Sequence, residues 1–414
     1  MNRAVATSTG PAARQATLRE HNIALVARAV LGSPTPCSRA DIAAASGLAR
    51  ATVSTLVDRL VTARIVAELA PATPQRAGRP AVPLVAAPRT IVGLGLEVNV
   101  DYLGGRVVDL TGAVVAEHVQ PDDLHDSSPD KVLVELGRIA RALVDQVVGE
   151  GMCVAGATLA LPGLVDVRTG RLEVAPNLGW SGLDPVPALG LDLGDGHPAP
   201  VAVANEAKLA ALAQSGRTVV PDAAGDGGTG PTSYLYVSGD VGIGSAIVVD
   251  RTLFQGRHGW AGEIGHVVVD PGGPRCRCGA TGCLEQYAGK DALLIAAGLP
   301  TTAETSELVA ALDAAEPAAT AAVQRAGQAL GSALADYVNL VDIDTILLGG
   351  IYPALLPHLR APVERELRTR VLAAPWTDLH VAAAPVDDHA ALTGGAREVL
   401  RGVVQNPSAW VGDY

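Results

Sequence analysis

The chain has 414 residues, 48% of them hydrophobic and only 3% aromatic, with a mean hydropathy of +0.27. That length predicts two or three domains, and that composition excludes a disordered or fibrous chain. The net charge of −12 is split: residues 1–90 carry eleven arginines against four acids, +7, leaving −19 for the rest, so a basic head fit for an anionic polymer precedes an acidic body that would repel one.

Residues 1–17 read as a disordered Ala/Thr/Ser tail without the apolar core of a signal peptide. No apolar run approaches the roughly 18 residues of a membrane span. The five cysteines are clustered rather than spread, which argues against a disulfide framework and for a cytoplasmic protein with reduced thiols.

From Leu18 the pattern turns helical, with Ile23, Val26, Ala27 and Val30 on one apolar face. Ser38 and Asp41 form an S-x-x-D capping box that opens a second helix, Gly47 makes a turn, and a third helix follows. Its core face is Val53, Leu56, Val57 and Leu60; Arg50, Thr52, Thr55 and Arg59 face away. This is helix-turn-helix grammar, although a plain three-helix bundle shares the spacing. Two short apolar strands then flank a polar stretch holding Arg76 and Gly78-Arg79-Pro80, which reads as a β-wing. The alternative for the Gly-Arg-Pro triplet is an ordinary surface turn. Residues 18–88 are therefore expected to bind double-stranded DNA. Arg50, Thr52 and Ser54 are placed for base edges, Arg59, Arg64 and Arg76 for phosphates, and Arg79 for the minor groove.

From Thr90 the pattern alternates strands and helices, a mixed α/β sheet architecture. A strand and hairpin at 90–119 lead to an amphipathic helix at 128–151, a buried strand ending at Pro162-Gly163, and a strand-to-helix step at Asn205. Residues 216–233, rich in Gly, Pro and Asp, read as a surface loop, and a glycine-turn hairpin at 234–250 follows. His266 lies ten residues before a Cys-x-Cys-x4-Cys cluster of Cys276, Cys278 and Cys283. Three thiolates and an imidazole suit tetrahedral structural zinc, as a local staple in the acidic body. A DNA-reading finger would show two separated ligand pairs around a helix. Cys37 and Cys153 read as ordinary thiols.

The order of a winged helix-turn-helix, "APNLGW", "NEAKLAAL", "HGWAGEIGH" and "CRCGATGCLE" resembles the repressor branch of the ROK family of repressors and sugar kinases, over about residues 18–403. The resemblance implies the two-lobed actin-like ATPase fold over 89–414. Lobe one would cover about 89–205 plus a C-terminal helix at 390–414, and lobe two about 206–389. It implies the same four zinc ligands. It also implies sugar hydroxyls held by Asn177, Asn205, Glu206, Glu263, His266 and Glu285, where carboxylates and amides supply acceptors and donors in pairs. His266 would give one ring nitrogen to zinc and the other to a hydroxyl. The partners implied are a palindromic operator bound by a homodimer or homotetramer, a sugar or sugar-phosphate effector, and no membrane.

Three departures from the kinase branch predict that no ATP is used. Glu97-Val98-Asn99-Val100-Asp101-Tyr102 stands where kinases carry a glycine-paired phosphate loop; Asp240-Val241-Gly242 stands at their second phosphate loop; Glu206 stands at the catalytic Asp. Gly349-Gly350 alone matches a nucleotide-contact element. The expected function is a sugar-responsive repressor of carbohydrate genes without kinase activity. A bifunctional DNA-binding sugar kinase, and a scaffold whose head contacts protein, are the alternatives.

Overall fold

A computed structural model of the protein describes residues 11–70, 82–193, 201–216, 230–386 and 389–411. Three helices form the head: α1 (Pro11–Leu31), α2 (Arg39–Ser46) and α3 (Arg50–Thr62). The tail expected at 1–17 is corrected over residues 11–17, which are helical. Pro11 presets the first helical φ, and the Ala, Arg, Gln and Leu that follow extend the helix beyond its apolar face by propensity alone. The capping box at Ser38 and Asp41 is present in both directions, and α2 stops at Gly47 in the left-handed region. The predicted core faces of α1 and α3 are buried throughout.

Strands β1 (Val66–Glu68) and β2 (Leu84–Ala86) pair antiparallel, Val66 opposite Ala86. Cys37 pairs with Leu84 to fasten the wing to the helices. The wing tip with Arg76, Gly78, Arg79 and Pro80 lies outside the described residues.

In the body, β3 (Ile91–Val98), β4 (Tyr102–Asp109) and β5 (Val114–Pro121) form an antiparallel meander. The chain returns through α4 (Pro129–Gly149) so that β6 (Cys153–Leu161) lies parallel to β3. Strands β7 (Leu164–Val165), β8 (Leu172–Ala175) and β9 (Trp180–Leu183) make a small side sheet. After a single turn, α5 (Val186–Leu189), β10 (Val201–Asn205) adds to β6 in parallel. Reading across, the order is β5-β4-β3-β6-β10.

Helix α6 (Glu206–Ala213) leads to a second sheet of β11 (Tyr234–Gly239), β12 (Ile243–Val249) and β13 (Thr252–Leu253). Helices α7 (Glu285–Ala288), α8 (Lys290–Ala296), α9 (Thr305–Asp313) and α10 (Pro317–Val341) precede β14 (Thr345–Gly350). Helix α11 (Tyr352–Arg370), β15 (His380–Ala383) and α12 (Ala390–Gln405) complete the chain. The second order is β13-β12-β11-β14-β15. Each sheet is an antiparallel meander followed by two parallel additions on its far side. Two sheets of one topology, one in each lobe, are the duplicated architecture of an actin-like ATPase fold.

Helix α12 joins the parts. It lies on β3 so closely that a Cβ on Gly95 would overlap the Leu392 carbonyl oxygen, and one on Gly394 would overlap the Leu209 carbonyl of α6. These positions take glycine because backbone meets backbone there. Arg106 of β4 donates to Thr393 Oγ1 at 2.7 Å and pairs with Glu117 at 3.0 Å. Further along, Leu400, Val403 and Val404 enter one apolar cluster with Ile23, Val26, Leu60 and Ile65 of the head, and Val411 joins them. The core of the head is therefore continuous with the body, joining the C-terminal helix and Ile91, Val108 and Leu110 in one cluster.

Candidate functional site

At the start of α3, Arg50 and Thr52 are exposed and Ser54 is half-buried. No side chain caps this helix, so its first N–H groups point outward from Ala49. That is the end a recognition helix presents to base edges and phosphates. Two expected phosphate contacts sit elsewhere. Arg64, in the left-handed region, donates to the Gly151 carbonyl at 3.2 Å and ties the head to the first lobe. Arg59 lies beside Trp410 and Val411, with its Nε buried and without a hydrogen-bond partner. Arg39, which the pattern did not single out, bridges Asp58 at 2.7 Å and Glu68 at 2.8 Å, locking α2 to α3 and the wing.

The four soft donors converge. His266, Cys276, Cys278 and Cys283 offer ligand atoms all within 4.8 Å of one another. A tight loop makes this possible: Arg275 pairs with Thr281, and Gly279 and Gly282 hold positive φ at its tip and exit. Cys278 and Cys283 sulfurs are 3.7 Å apart, and Cys276 Sγ is 3.9 Å from His266 Nδ1. Two thiolates on one tetrahedral ion with bonds near 2.3 Å would lie about 3.8 Å apart. The donor set thus fits a metal ion. Burial and the neighbouring thiols push the Cys283 thiol up to about 12, so a cation is needed to hold these sulfurs as thiolates.

Around this loop stand the residues expected to hold hydroxyls. Glu285 begins α7, directly after Cys283-Leu284, and accepts from the Ile243 amide at 3.3 Å. A Cβ on Gly242 would come within 2.8 Å of Glu285 Oε2 and 3.0 Å of Asn177 Nδ2, so these two side chains flank the glycine turn. Burial raises the Glu263 carboxyl, while the Lys208 ammonium and His266 oppose the rise. Because Nδ1 of His266 faces Cys276, Nε2 is the nitrogen left for a ligand. Asn205 is partly committed: its Oδ1 caps α6 through the Lys208 amide at 3.2 Å, and its Nδ2 donates to the Gly163 carbonyl at 3.0 Å.

A cavity of about 360 Å³ opens between the lobes, lined by Glu97, Asn99, Asp101, Glu206, Asp240 and Gly242 among others. Of the residues expected to hold a sugar, Glu206 alone lines it, while Gly242 belongs to both walls. Glu97 is 2% exposed, and its Oε2 has no hydrogen-bond partner. Burial, with the nearby Asp240 carboxylate, raises Glu97 to about 8 against the hydrogen bond from Tyr102. Burial, with Glu97 and Asp240, raises Glu206 well above the carboxylate range; Asn99 donates to it at 3.3 Å. At the mouth, Lys290 at the start of α8 pairs with Asp101 at 2.8 Å and spans the two lobes. The sequence pattern marked Glu97 and Asp101 only as unfavourable to phosphate; it gave no sign of the bridge to Lys290.

A winged helix-turn-helix head on a two-lobed, actin-like body, with a His/Cys3 donor set able to hold a metal ion beside the cleft, defines the class. Residues 94–401 match the ROK family, and the chain belongs to it. The xylose repressor of Bacillus subtilis is 30% identical over 282 residues, 68% of this chain and 69% of its own. A glucokinase of Halalkalibacterium halodurans is 29% identical over 58% of this chain and 74% of its own. Among solved structures, a ROK family transcriptional regulator described as a homologue of the Escherichia coli MLC protein matches at TM-score 0.75 and 27% identity. That match covers 95% of this chain and all of the other. No helix among the described residues is long and apolar enough to cross a membrane.

Proposed function

We propose that the protein is a sugar-responsive transcriptional repressor that binds a palindromic operator as a symmetric oligomer, works in the cytoplasm and has no kinase activity. One observation carries the reading: α12 begins at the cleft, where Ala390 and Ala391 line the cavity, and ends inside the head's core at Leu400 and Val403. A ligand that alters the lobe angle moves the helix on which the DNA-binding helices rest, so cleft and head are two ends of one rigid element. Relatives named as repressors, and the regulator structure matched over nearly the full chain, support the same reading.

In this proposal Arg50, Thr52 and Ser54 read bases, and the Gly78-Arg79-Pro80 tip with Arg76 follows the minor groove and phosphates. Zinc is the ion assigned to His266, Cys276, Cys278 and Cys283. Bound there, it would hold the sulfurs as thiolates and fix the His266 ring for a sugar hydroxyl. Asn177, Asn205, Glu206, Glu263 and Glu285 complete the hydroxyl contacts. Against a kinase stand Asp240, a carboxylate where a phosphate loop would need backbone N–H groups, and the acid side chains of Glu97 and Glu206 in place of a glycine-paired loop and a catalytic Asp. Operator binding by the full chain with and without each member of a sugar panel, run beside an ATP-consumption assay, tests this. Sugar-dependent change in operator affinity without turnover is expected; sustained hexose-dependent ATP consumption would overturn the non-kinase part.

A further inference from the structure

Aromatic side chains are scarce in this chain, which holds one phenylalanine and four tryptophans. Trp180 is buried in the first lobe, Trp410 sits between α3 and the body, and Trp376 lies in the connection from α11 to β15. The fourth tryptophan, Trp260, shares a loop with the phenylalanine, Phe254. That loop, 254–262, runs from the end of β13 to Glu263, one of the groups expected to hold a hydroxyl. Phe254 is 53% exposed and Trp260 36%. His258 stacks on Trp260 with ring centroids 4.8 Å apart, so the indole is held in place and still open to solvent. Aromatic area left in water beside a ligand site marks a contact surface.

The loop is fastened to the hydroxyl-binding residues. Lys208 Nζ donates to the Gly259 carbonyl, and the Lys208 amide donates to Asn205 Oδ1 at 3.2 Å. Ser245 Oγ donates to the Gly262 carbonyl, directly before Glu263. The Ala261 amide donates to the Gln255 carbonyl at 3.2 Å, which brings the Phe254 and Trp260 ends of the loop together. Across the lobe boundary, Val167 in the turn after β7 is 40% exposed, and a Cβ on Gly259 would overlap its Cγ1. The exposed apolar surface therefore runs from Val167 of the first lobe to Trp260 and Phe254 of the second.

A pyranose has two kinds of surface. Its hydroxyl edge suits carboxylates, amides and imidazole, and its C–H face suits an aromatic ring. The two kinds of partner lie at different depths here. Burial raises the Glu263 carboxyl, whereas Phe254 and Trp260 face water. A stable protein interface buries on the order of 1,000 Å² or more, which a few side chains do not supply. An anion gains nothing from aromatic faces. We infer that the effector is a carbohydrate of at least two rings: its terminal ring meets Glu263, His266 and Glu285, and the next ring lies on Trp260, with Phe254 and Val167 beside it. This rests on the sugar-sensor reading and narrows it. The second ring touches both lobes, so chain length as well as ring stereochemistry sets the lobe angle that α12 carries to the head.

Titration calorimetry on the full-length protein would use xylose, glucose, galactose and N-acetylglucosamine, each beside a disaccharide that ends in it: xylobiose, cellobiose, maltose, lactose and chitobiose. At least one disaccharide is expected to bind about tenfold more tightly than its own monosaccharide, the scale of one aromatic stack with its buried area. Trp260→Ala should bring that ratio close to one, while Trp260→Phe keeps most of it. Should Trp260→Ala fail to fold, Phe254→Ala takes its place and should also lower the ratio. Equal binding within every pair, or a ratio that Trp260→Ala leaves intact, overturns the inference and leaves the sugar sensor standing. So does a variant that loses monosaccharide and disaccharide binding alike, which would put Trp260 on the first ring. Binding of no sugar overturns both.

Discussion

At Cys276 the expectation is simple. Cys276→Ser removes one of four donors, so the metal-to-protein ratio by elemental analysis should fall, and the melting temperature with it. An unchanged ratio would strike Cys276 from the ligand set. Glu97 gives a pH signature of definite sign. Its carboxyl is raised to about 8 in the folded protein from an ordinary value of 4.5. Between those values the folded state holds a proton that the unfolded state has released, so stability falls as pH rises through the window. Glu97→Gln has no proton to lose there. Its melting temperature should therefore exceed the wild type's by more at pH 8 than at pH 5; a pH-independent gap would remove Glu97 as the cause. On the DNA side, Arg50→Ala should weaken operator over random DNA by about 1–3 kcal/mol if Arg50 reads a base. Equal loss on both sequences in a gel-shift titration would make it a phosphate contact.

At the scale of elements, α12 is the member on which the others depend. Leu400→Ala would open a void between the helix and the head, costing about 2–5 kcal/mol in urea unfolding. It should also weaken operator binding, although Leu400 is buried and belongs to α12 rather than to α3. Operator affinity that survives while stability falls would mean the head folds without α12. Much of this region was legible in the sequence: the capping box at Ser38, the apolar faces of α1 and α3, and the spacing of His266 to the cysteines are local signals with a fixed period. What was not legible joins residues far apart in the chain. Arg64 holding Gly151, Asn205 holding Gly163, and Leu400 lying against Gly93 leave no periodic trace, because either partner alone looks like an ordinary surface or core residue. The helical start at Pro11 was missed for the opposite reason: an alanine-rich segment without an apolar face carries propensity but no pattern.

For the whole molecule, among the described residues the ion pair across the cleft is the partly exposed Lys290–Asp101, beside the hydrogen bond from Asn99 to Glu206. Such a pair is worth at most about 1 kcal/mol, or about fivefold in the ratio of closed to open forms. Lys290→Met should therefore shift the effector concentration for half-maximal operator release by no more than that factor, without changing maximal release. A change in the maximum would mean that Lys290 touches the ligand itself.

The shared core beneath the head has a consequence for synthesis. Ile23, Val26 and Leu60 are synthesised more than 300 residues before Leu400, Val403, Val404 and Val411, the apolar residues that share their cluster. Until then Ile23, Val26 and Leu60 lack part of their cover. A chain shortened before α12 thus carries Arg50, Thr52 and Ser54 without part of the packing beneath them. A chain cut before Leu400 should therefore have a less stable head than the intact protein, whatever the rest of its body does.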